Sequence, residues 1–323
     1  MSIKLDLKDK KLLALLDENA RYSNSQLARR IGLSKPAVEY RLKRFEKNKA
    51  IFEFYTIINF TKLGYSQYKL YFKFQDTTMN DEKKMIDHWT GSANSIWVAQ
   101  IRGRWDLTVS VLARNNFEFG RMLSDFMNKH SKFILEKDVL LTEYSPVYAR
   151  EYIAESKPSE FIYGIPSEIY QPDEADKKIM KALATDARMH IIELSKKTGL
   201  TRDMISYRMK KLVKEKIIVQ HRCYLDLPLL GINQYKIIFR TKNLDSNEEN
   251  RIRQYVASHK KATQMLKLIG SWDLEIEFET ENEDELYRIL NDIRKEFSGI
   301  IRDFDILRIT ETYKYDYYPF KEK

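Results

Sequence analysis

Two basic segments of this 323-residue sequence carry the same kinds of side chain at the same spacing. GLSKPAVEYRLKRFEKNKAI begins at Gly32, and GLTRDMISYRMKKLVKEKII begins at Gly199, 167 positions later. Each segment predicts a helix with long cationic side chains, a tyrosine and small polar groups on one side. Such cations can bind phosphate groups, and polar groups near the start of a helix can hydrogen-bond to the edges of bases.

The candidate binding face lies opposite the apolar stripe of each helix. The stripe is predicted at Val38, Leu42 and Phe45 in the first segment, and at Ile205, Met209 and Leu212 in the second. The predicted DNA-binding residues are Lys35, Pro36, Glu39, Tyr40, Arg41, Lys43, Arg44, Arg202, Asp203, Ser206, Tyr207, Arg208, Lys210 and Lys211. Because Glu39 is matched by Ser206 and Pro36 by Asp203, the two faces need not recognise the same bases.

The positive charge of the chain is concentrated around these helices. The net charge is +9 and the sequence pI is about 9.2. Residues 1–50 and residues 174–222 each contain thirteen lysines and arginines against six acidic residues, which leaves a net charge of −5 elsewhere. A lone basic helix is usually just a solvated face. Two such helices in matching contexts favour a nucleic-acid surface instead.

The surrounding sequence predicts a helix-turn-helix around each basic segment. In the first repeat, Ser23 and Gln26 form a candidate capping box for a second helix, and Gly32 can end that helix in the left-handed conformation. Ser34, or Thr201 in the second repeat, is placed to cap the third helix. Apolar residues on the first helix are predicted to face this core; they are Leu12, Leu15 and Leu16, with Ile179, Met180 and Leu183 as their counterparts.

The second part of each repeat predicts the strand and helix order β-α-β-β-α-β, which is typical of a ferredoxin-like sandwich. The fold class is therefore α+β, with two winged helix-turn-helix domains that are each followed by such a sandwich. The predicted domains are 1–62 and 63–153, a linker at 154–172, and then 173–229 and 230–320. Within the linker, Pro158, Gly164, Pro166 and Pro172 favour irregular backbone, and Phe161 to Tyr163 offer apolar groups for docking.

The combination resembles the Lrp/AsnC (feast/famine) family of transcription regulators. L-S-x-x-x-V-x-x-R-L-K-R from Leu33 is similar to the family pattern, and G-x-W-D appears in both central hairpins, at Gly103 and Gly270. Members of that family generally have one unit per chain and dimerise through the sandwich, so this chain is similar to two fused protomers. One departure is the end of the third helix, where Asn48-Lys49 and Glu215-Lys216 replace the usual glycine. Asn48 can adopt the left-handed conformation, but Lys216 does so only with strain, so the third helix of the second repeat is expected to end differently.

The resemblance implies an amino-acid effector near the hairpins. The implied effector-binding residues are Gly103, Trp105, Asp106, Gly270, Trp272 and Asp273. Backbone amides can hold a carboxylate and an aspartate can hold an ammonium group. The competing interpretation is turn architecture, in which the glycines and aspartates shape the hairpin and the tryptophans pack.

Two other functions remain open. Siroheme decarboxylases share this domain plan, but such an enzyme needs histidine or arginine groups that converge on a tetrapyrrole. The five histidines are His88, His130, His190, His221 and His259, and none matches another at the 167-residue offset. An architectural DNA-binding protein without an effector is the third possibility. A regulator that is not an enzyme and uses no cofactor or metal is the preferred interpretation.

The remaining composition favours the cytoplasm. The single cysteine, Cys223, cannot form an intramolecular disulfide, and no apolar run approaches the roughly 20 residues of a membrane span. The duplication itself predicts an internal dimer, in which the sandwiches from about Ser66 to Ile153 and from about Asn233 to Phe320 pair with each other. Higher assembly through the outer faces is also open.

Overall fold

The computed structural model describes residues 4–154, 160–165, 168–242 and 244–320. Within these ranges no helix is long and apolar enough to span a membrane. The chain forms two compact units. The helical unit comprises Met1–Asn59, Tyr148–Phe161 and Tyr170–Ile232, and the barrel unit comprises Phe60–Val147, Ile162–Ile169 and Asn233–Lys323. Each unit therefore contains the matching parts of both repeats.

Copy 1 (residues 1–153) contains the predicted elements in the predicted order. They are α1 (Leu7–Glu18), α2 (Asn24–Ile31), α3 (Lys35–Lys47), β1 (Ile51–Ile58), β2 (Ser66–Phe74), α4 (Met79–Gly91), β3 (Ser95–Arg102), β4 (Leu107–Ala113), α5 (Asn116–His130) and β5 (Ile134–Tyr148). The capping box of Ser23 and Gln26, the left-handed Gly32 and the Ser34 cap on α3 are all present.

Copy 2 (residues 173–320) repeats this order after one additional strand. Part of the predicted linker forms β6 (Glu160–Tyr163), where Tyr163 is buried, while Pro158 and Pro166 lie outside the described residues. The elements that follow are α6 (Glu174–Thr185), α7 (Ile191–Thr198), α8 (Arg202–Lys214), β7 (Ile218–Leu225), β8 (Asn233–Thr241), α9 (Ser246–Ser258), β9 (Ala262–Ile269), β10 (Leu274–Thr280), α10 (Glu283–Glu296) and β11 (Ile301–Tyr315). The predicted α+β fold class is confirmed.

The third helices of the two copies end in the same way, so the expectation that α8 would end differently is wrong. Lys49 has φ of 58° and Lys216 has φ of 56°, both in the left-handed region. The amides of Ala50 and Ile217 bond to the carbonyls of Phe45 and Leu212, which closes the same turn in each copy. The burial of the following apolar residue thus outweighs the strain of a left-handed lysine.

The apolar stripes pack largely as predicted, with two exceptions. Val38, Leu42, Phe45, Ile205 and Leu212 are buried. Met209 and Leu15 are only half-buried, and on α1 the neighbouring Leu13 is fully buried in addition to Leu12 and Leu16.

In the helical unit the two copies pair reciprocally. β1 and β7 form an antiparallel two-stranded sheet. Arg21 Nη1 donates to the carbonyls of Ala187 and Met189 at 2.5 and 3.3 Å, and Arg188 Nη1 donates to those of Ala20 and Tyr22 at 2.6 and 3.3 Å. Each of these contacts made by one copy has its counterpart in the other copy at the 167-residue offset.

In the barrel unit eight strands close into a ring. The order is β2-β4-β3-β11-β8-β10-β9-β5, and β5 also pairs with β2; β6 adds to β5. The long strands cross between copies, since β5 pairs with β2 and β9, and β11 pairs with β8 and β3. Apolar side chains from both copies fill the interior of this ring, including Tyr71, Trp105, Leu140, Trp272 and Leu307.

The central hairpin of each copy approaches the backbone of the other copy closely. A Cβ on Gly103 would lie 2.5 Å from the carbonyl oxygen of Ile306. A Cβ on Gly270 would lie 3.2 Å from the carbonyl oxygen of Val139. Their φ angles of 132° and 150° are ones that L side chains rarely adopt. Only glycine meets both requirements at these positions.

We expect Gly103→Ala to lower the free energy of unfolding by at least about 2 kcal/mol, because it combines backbone strain with a contact to a carbonyl that cannot move aside. The matched control is Gly120→Ala in α5, where an added Cβ meets nothing within 4 Å. That control is expected to raise stability by about 0.5–1 kcal/mol. Urea unfolding of both variants would measure the difference, and equal effects would contradict the close approach.

Candidate nucleic-acid interface

The predicted DNA-binding face of each third helix is open to solvent. Tyr40 and Tyr207 occupy matched positions and are each 69% exposed. The other exposed residues of the two faces are Lys35, Pro36, Lys43, Arg202, Asp203, Lys210 and Lys211. Glu39 and Ser206 are partly buried. The opposite stripes pack against the first two helices, so each helix presents its cationic face outward.

Arg41 and Arg208 are bound by carboxylates within their own domains. Arg41 Nη1 lies 2.8 Å from Asp6 and 2.5 Å from Asp9, while Arg208 Nη1 lies 2.8 Å from both Asp173 and Asp176. The hydrogen bonds that the two guanidinium groups donate to these carboxylates raise the pKa of both arginines. This geometry ties each third helix to the start of the first helix, which favours a positioning role for the two arginines over direct phosphate binding.

The remaining basic residues divide in a similar way. Arg44 Nη2 lies 2.5 Å from Asp9, so in copy 1 two arginines share one buried carboxylate. Its counterpart Lys211 instead lies over the ring of Tyr170, 5.2 Å from the centroid. Lys35 pairs loosely with Glu39 at 3.7 Å on an exposed surface, where such pairs contribute little.

Glu39, on the predicted DNA-binding face of α3, is linked through Asn24 to the contact between the two copies. Asn24 Nδ2 lies 3.5 Å from Glu39 Oε1, and Asn24 Oδ1 accepts a hydrogen bond of 3.1 Å from Arg188 Nη2. Arg188 is one of the two arginines that join the helix-turn-helix domains. Asn24 therefore contacts both Glu39 of its own copy and an arginine of the second copy.

The hairpin residues implied as effector ligands already have structural partners. Asp106 accepts hydrogen bonds from the Phe74 amide at 2.8 Å and from Lys73 Nζ at 3.0 Å. Asp273 accepts bonds from the amide and the hydroxyl of Thr241 at 2.6 and 2.9 Å. Trp105 and Trp272 are fully buried, and their indole N–H groups lack a hydrogen-bond partner. Together with the close approach of Gly103 and Gly270, these contacts favour turn architecture for the G-x-W-D motifs themselves.

A groove beside the second hairpin offers groups that the sequence analysis missed. It has a volume of about 570 Å³ and is lined by Arg240, Ser271, Arg302 and Asp303. Arg240 lies over the ring of Trp272 at 4.3 Å and donates to the Ser271 carbonyl at 2.9 Å. At the matched positions copy 1 has Lys73, Arg104, Leu135 and Glu136, so only copy 2 supplies two arginines. That mismatch at the 167-residue offset was the available signal.

The five histidines do not converge on one site. The rings of His88 and His130 lie 5.6 Å apart beside Phe126, on α4 and α5. His190 caps α7, and the His259 ring contacts Phe278. His221 is bound by Thr56 Oγ1 at 2.9 Å, and burial lowers its pKa to about 3. In the described residues no group of three or more His, Cys, Asp or Glu side chains could hold a metal ion.

Comparisons with known proteins match the segments of this chain that form the two helix-turn-helix domains. A family model described as winged helix-turn-helix DNA-binding matches residues 5–51 and 172–219. An uncharacterized HTH-type transcriptional regulator of Pyrococcus horikoshii is 29% identical over 129 residues, which are 40% of this chain and 86% of that protein. The AsnC structure of E. coli is 22% identical, with a TM-score of 0.38, and covers 44% of this chain and 94% of its own.

One solved structure resembles the chain over almost its whole length. The siroheme decarboxylase NirDL, solved with an iron-uroporphyrin III analogue, covers 96% of this chain and 93% of its own, with a TM-score of 0.63. Its sequence identity to this chain is 11%. At that identity the similarity shows the fold alone, since one fold hosts many activities.

Proposed function

We propose that this protein, a tandem pair of Lrp/AsnC-like units, regulates transcription by binding double-stranded DNA with α3 and α8. One observation carries this function: two basic helix faces, exposed to the same extent at Tyr40 and Tyr207, lie on domains that bond reciprocally through Arg21 and Arg188. A helix-turn-helix dimer presents its reading helices in this way to two half-sites on one side of the duplex. The similarity of this chain to the HTH-type transcriptional regulator of Pyrococcus horikoshii supports the same function.

The chain would supply both halves of that dimer by itself. Fusion makes the meeting of the two copies intramolecular, so that pairing does not depend on protein concentration. The two half-sites should then lie one helical turn of DNA apart, about 34–36 Å, or a multiple of that spacing. Unlike a homodimer, a fused pair can also keep two different reading faces.

The double variant Lys43→Ala/Lys210→Ala should weaken DNA binding and flatten its salt dependence. Two lost phosphate contacts are expected to reduce the slope of log K against log salt concentration by about 2. Fluorescence anisotropy with duplex DNA at several salt concentrations would measure this slope. Lys83→Ala/Lys129→Ala, which removes the same charge from exposed positions on α4 and α5, is the matched control and should leave the slope nearly unchanged.

An equal loss of slope in the control pair would show that the binding reflects overall charge and not the third helices. Arg41→Ala and Arg208→Ala are expected to weaken binding too, but with a loss of stability. The buried Asp176 would lose its arginine partner in Arg208→Ala, whereas Asp9 would keep Arg44 in Arg41→Ala, so the loss of stability should be larger for Arg208→Ala.

The preferred DNA site should be an imperfect palindrome, because Lys35 and Glu39 face one half-site while Arg202 and Ser206 face the other. Selection from random duplexes would reveal it. The variant Lys35→Arg/Pro36→Asp/Glu39→Ser gives copy 1 the polar face of copy 2, and its selected site should become more symmetric. A perfectly symmetric site for the unaltered protein would mean that these differing residues do not contact bases.

We also propose that the groove of copy 2 binds an amino-acid effector. The exposed Arg302 can receive a carboxylate, and Asp303, which lies 3.4 Å from Arg240, can receive an ammonium group. Arg302→Leu, which installs the copy 1 residue, should abolish the thermal stabilisation caused by that amino acid. At a hundredfold excess over Kd this stabilisation is about 2.7 kcal/mol. A screen in which no amino acid stabilises the protein would favour an architectural DNA-binding protein.

The alternative function on the same fold can be tested directly. A siroheme-decarboxylase-like enzyme must bind an iron tetrapyrrole, so titration with haem should shift its Soret absorption. We expect no saturable shift, because the five histidines are dispersed and the tryptophans and charged pairs occupy the barrel interior. A saturable one-to-one shift would favour the enzyme.

A further inference from the structure

A cluster of four charged side chains lies in the barrel interior, and the two copies contribute to it unequally. Lys69 of copy 1 and Lys236 of copy 2 occupy matched positions on β2 and β8. Both carboxylates, Glu275 and Glu277, come from β10 of copy 2. Their counterparts on β4 of copy 1 are Thr108 and Ser110. All four charged side chains are buried. The divergence continues at buried Glu279, which replaces Leu112.

The carboxylate of Glu275 is bound by both copies at once. Lys236 Nζ lies 2.7 Å from it, Lys69 Nζ reaches it from copy 1 at 3.4 Å, and the Tyr71 hydroxyl of copy 1 donates to its other oxygen. Lys236 also lies 2.7 Å from Glu277, whose oxygens accept further bonds within copy 2. The lysine charges lower the pKa of Glu275 to about 2 despite its burial. The result is a balanced cluster of two cations and two anions.

The helical unit contains a second one-sided pair. Asp17 on α1 of copy 1 is buried against Arg222 on β7 of copy 2, whose Nε donates to it at 3.0 Å. Arg150 Nη1 lies 2.7 Å from the same carboxylate. At the matched positions copy 2 has Ala184 and copy 1 has Tyr55. Here too the cation and the anion that meet across the copies have no counterpart under the 167-residue offset.

Pairing of like copies would leave buried charge without a partner. Two copy 1 surfaces would bring together two Lys69 side chains and no carboxylate, while each Asp17 would face Tyr55 and keep only Arg150. Two copy 2 surfaces would bring together four carboxylates and two lysines, with Arg222 facing Ala184. An uncompensated buried ion costs several kcal/mol, so both like pairs carry large penalties that the unlike pair avoids.

We infer that the contact surfaces of the two copies are specific for each other. In both the helical unit and the barrel unit, copy 1 therefore accepts only copy 2 as its partner. This inference rests on the internal pairing proposed above. The partner of each copy is therefore a surface of opposite buried charge. That surface belongs to the other copy, either in the same chain or in a second chain. Pairing of like copies between chains is excluded, although the backbones of the two copies have the same fold.

Exchanging the carboxylates between the copies of the full chain tests this inference. Glu275→Thr/Glu277→Ser leaves two buried lysines without anions, and Thr108→Glu/Ser110→Glu adds two anions without cations. Each double variant should lower the midpoint of thermal unfolding by about 10 °C or more. The quadruple variant moves both carboxylates to copy 1 and restores the balance, so it should recover at least half of that loss. Tryptophan fluorescence would follow the barrel, where Trp97, Trp105 and Trp272 lie.

The pH dependence separates charge from packing. The lysine-only variant should recover stability as the pH rises towards about 10, because the unfolded state then gains less from binding protons. The glutamate-rich variant should recover as the pH falls towards about 4, where the unfolded carboxylates also become protonated. Lys83→Thr/Asp87→Ser, an exposed pair on α4, is the control and should shift the midpoint by less than about 2 °C.

Each result decides between stated alternatives. Recovery in the quadruple variant, with opposite pH trends in the two doubles, supports mutual specificity, even if one double variant fails to fold. A quadruple variant no more stable than either double would overturn it while leaving the pairing intact. Double variants as stable as the unaltered chain would show instead that the copies do not pair in solution.

Discussion

Charge that leaves water must meet opposite charge, and in this protein it does so where the two copies touch. Glu275 is bound by lysines of both copies in the barrel, and Asp17 of copy 1 is buried against Arg222 of copy 2 in the helical unit. Neither arrangement is complete within a single copy. The duplication therefore does more than place two similar domains on one chain, because buried charges in each unit have partners that come from the other copy.

The outward faces of the helical unit depend on this internal pairing. The β1–β7 sheet and the reciprocal bonds of Arg21 and Arg188 hold the helix-turn-helix domains together through their inner sides. Arg41 and Arg208 fasten each third helix to the first helix of its own domain. Arg21, Arg188, Arg41 and Arg208 are therefore bound to groups within the helical unit. Lys43 and Lys210 remain exposed on the outward faces of the third helices.

The barrel shows why a shared fold does not decide a shared activity. The chain has the architecture of a tetrapyrrole enzyme over nearly its whole length, at 11% sequence identity. Activity depends on which groups face the space that the strands enclose. In this protein that space is filled by Trp105, Trp272, Tyr71 and the lysine–glutamate cluster, while a groove with two arginines lies beside the second hairpin.

The sequence by itself determined the duplication, the element order, the helix caps and the exposed basic faces, because these follow from local periodicity and residue type. Only the tertiary structure decided what the charges do. Arg41 and Arg208 look like phosphate ligands in sequence but are bound by carboxylates more than thirty residues away. Asp106 and Asp273 accept hydrogen bonds from backbone amides at the ends of strands. Lys49 and Lys216 adopt the strained left-handed conformation where glycine was expected. Each of these outcomes depends on groups that are distant in sequence. The distances between these groups and their burial set the free energy, and a local sequence pattern shows neither.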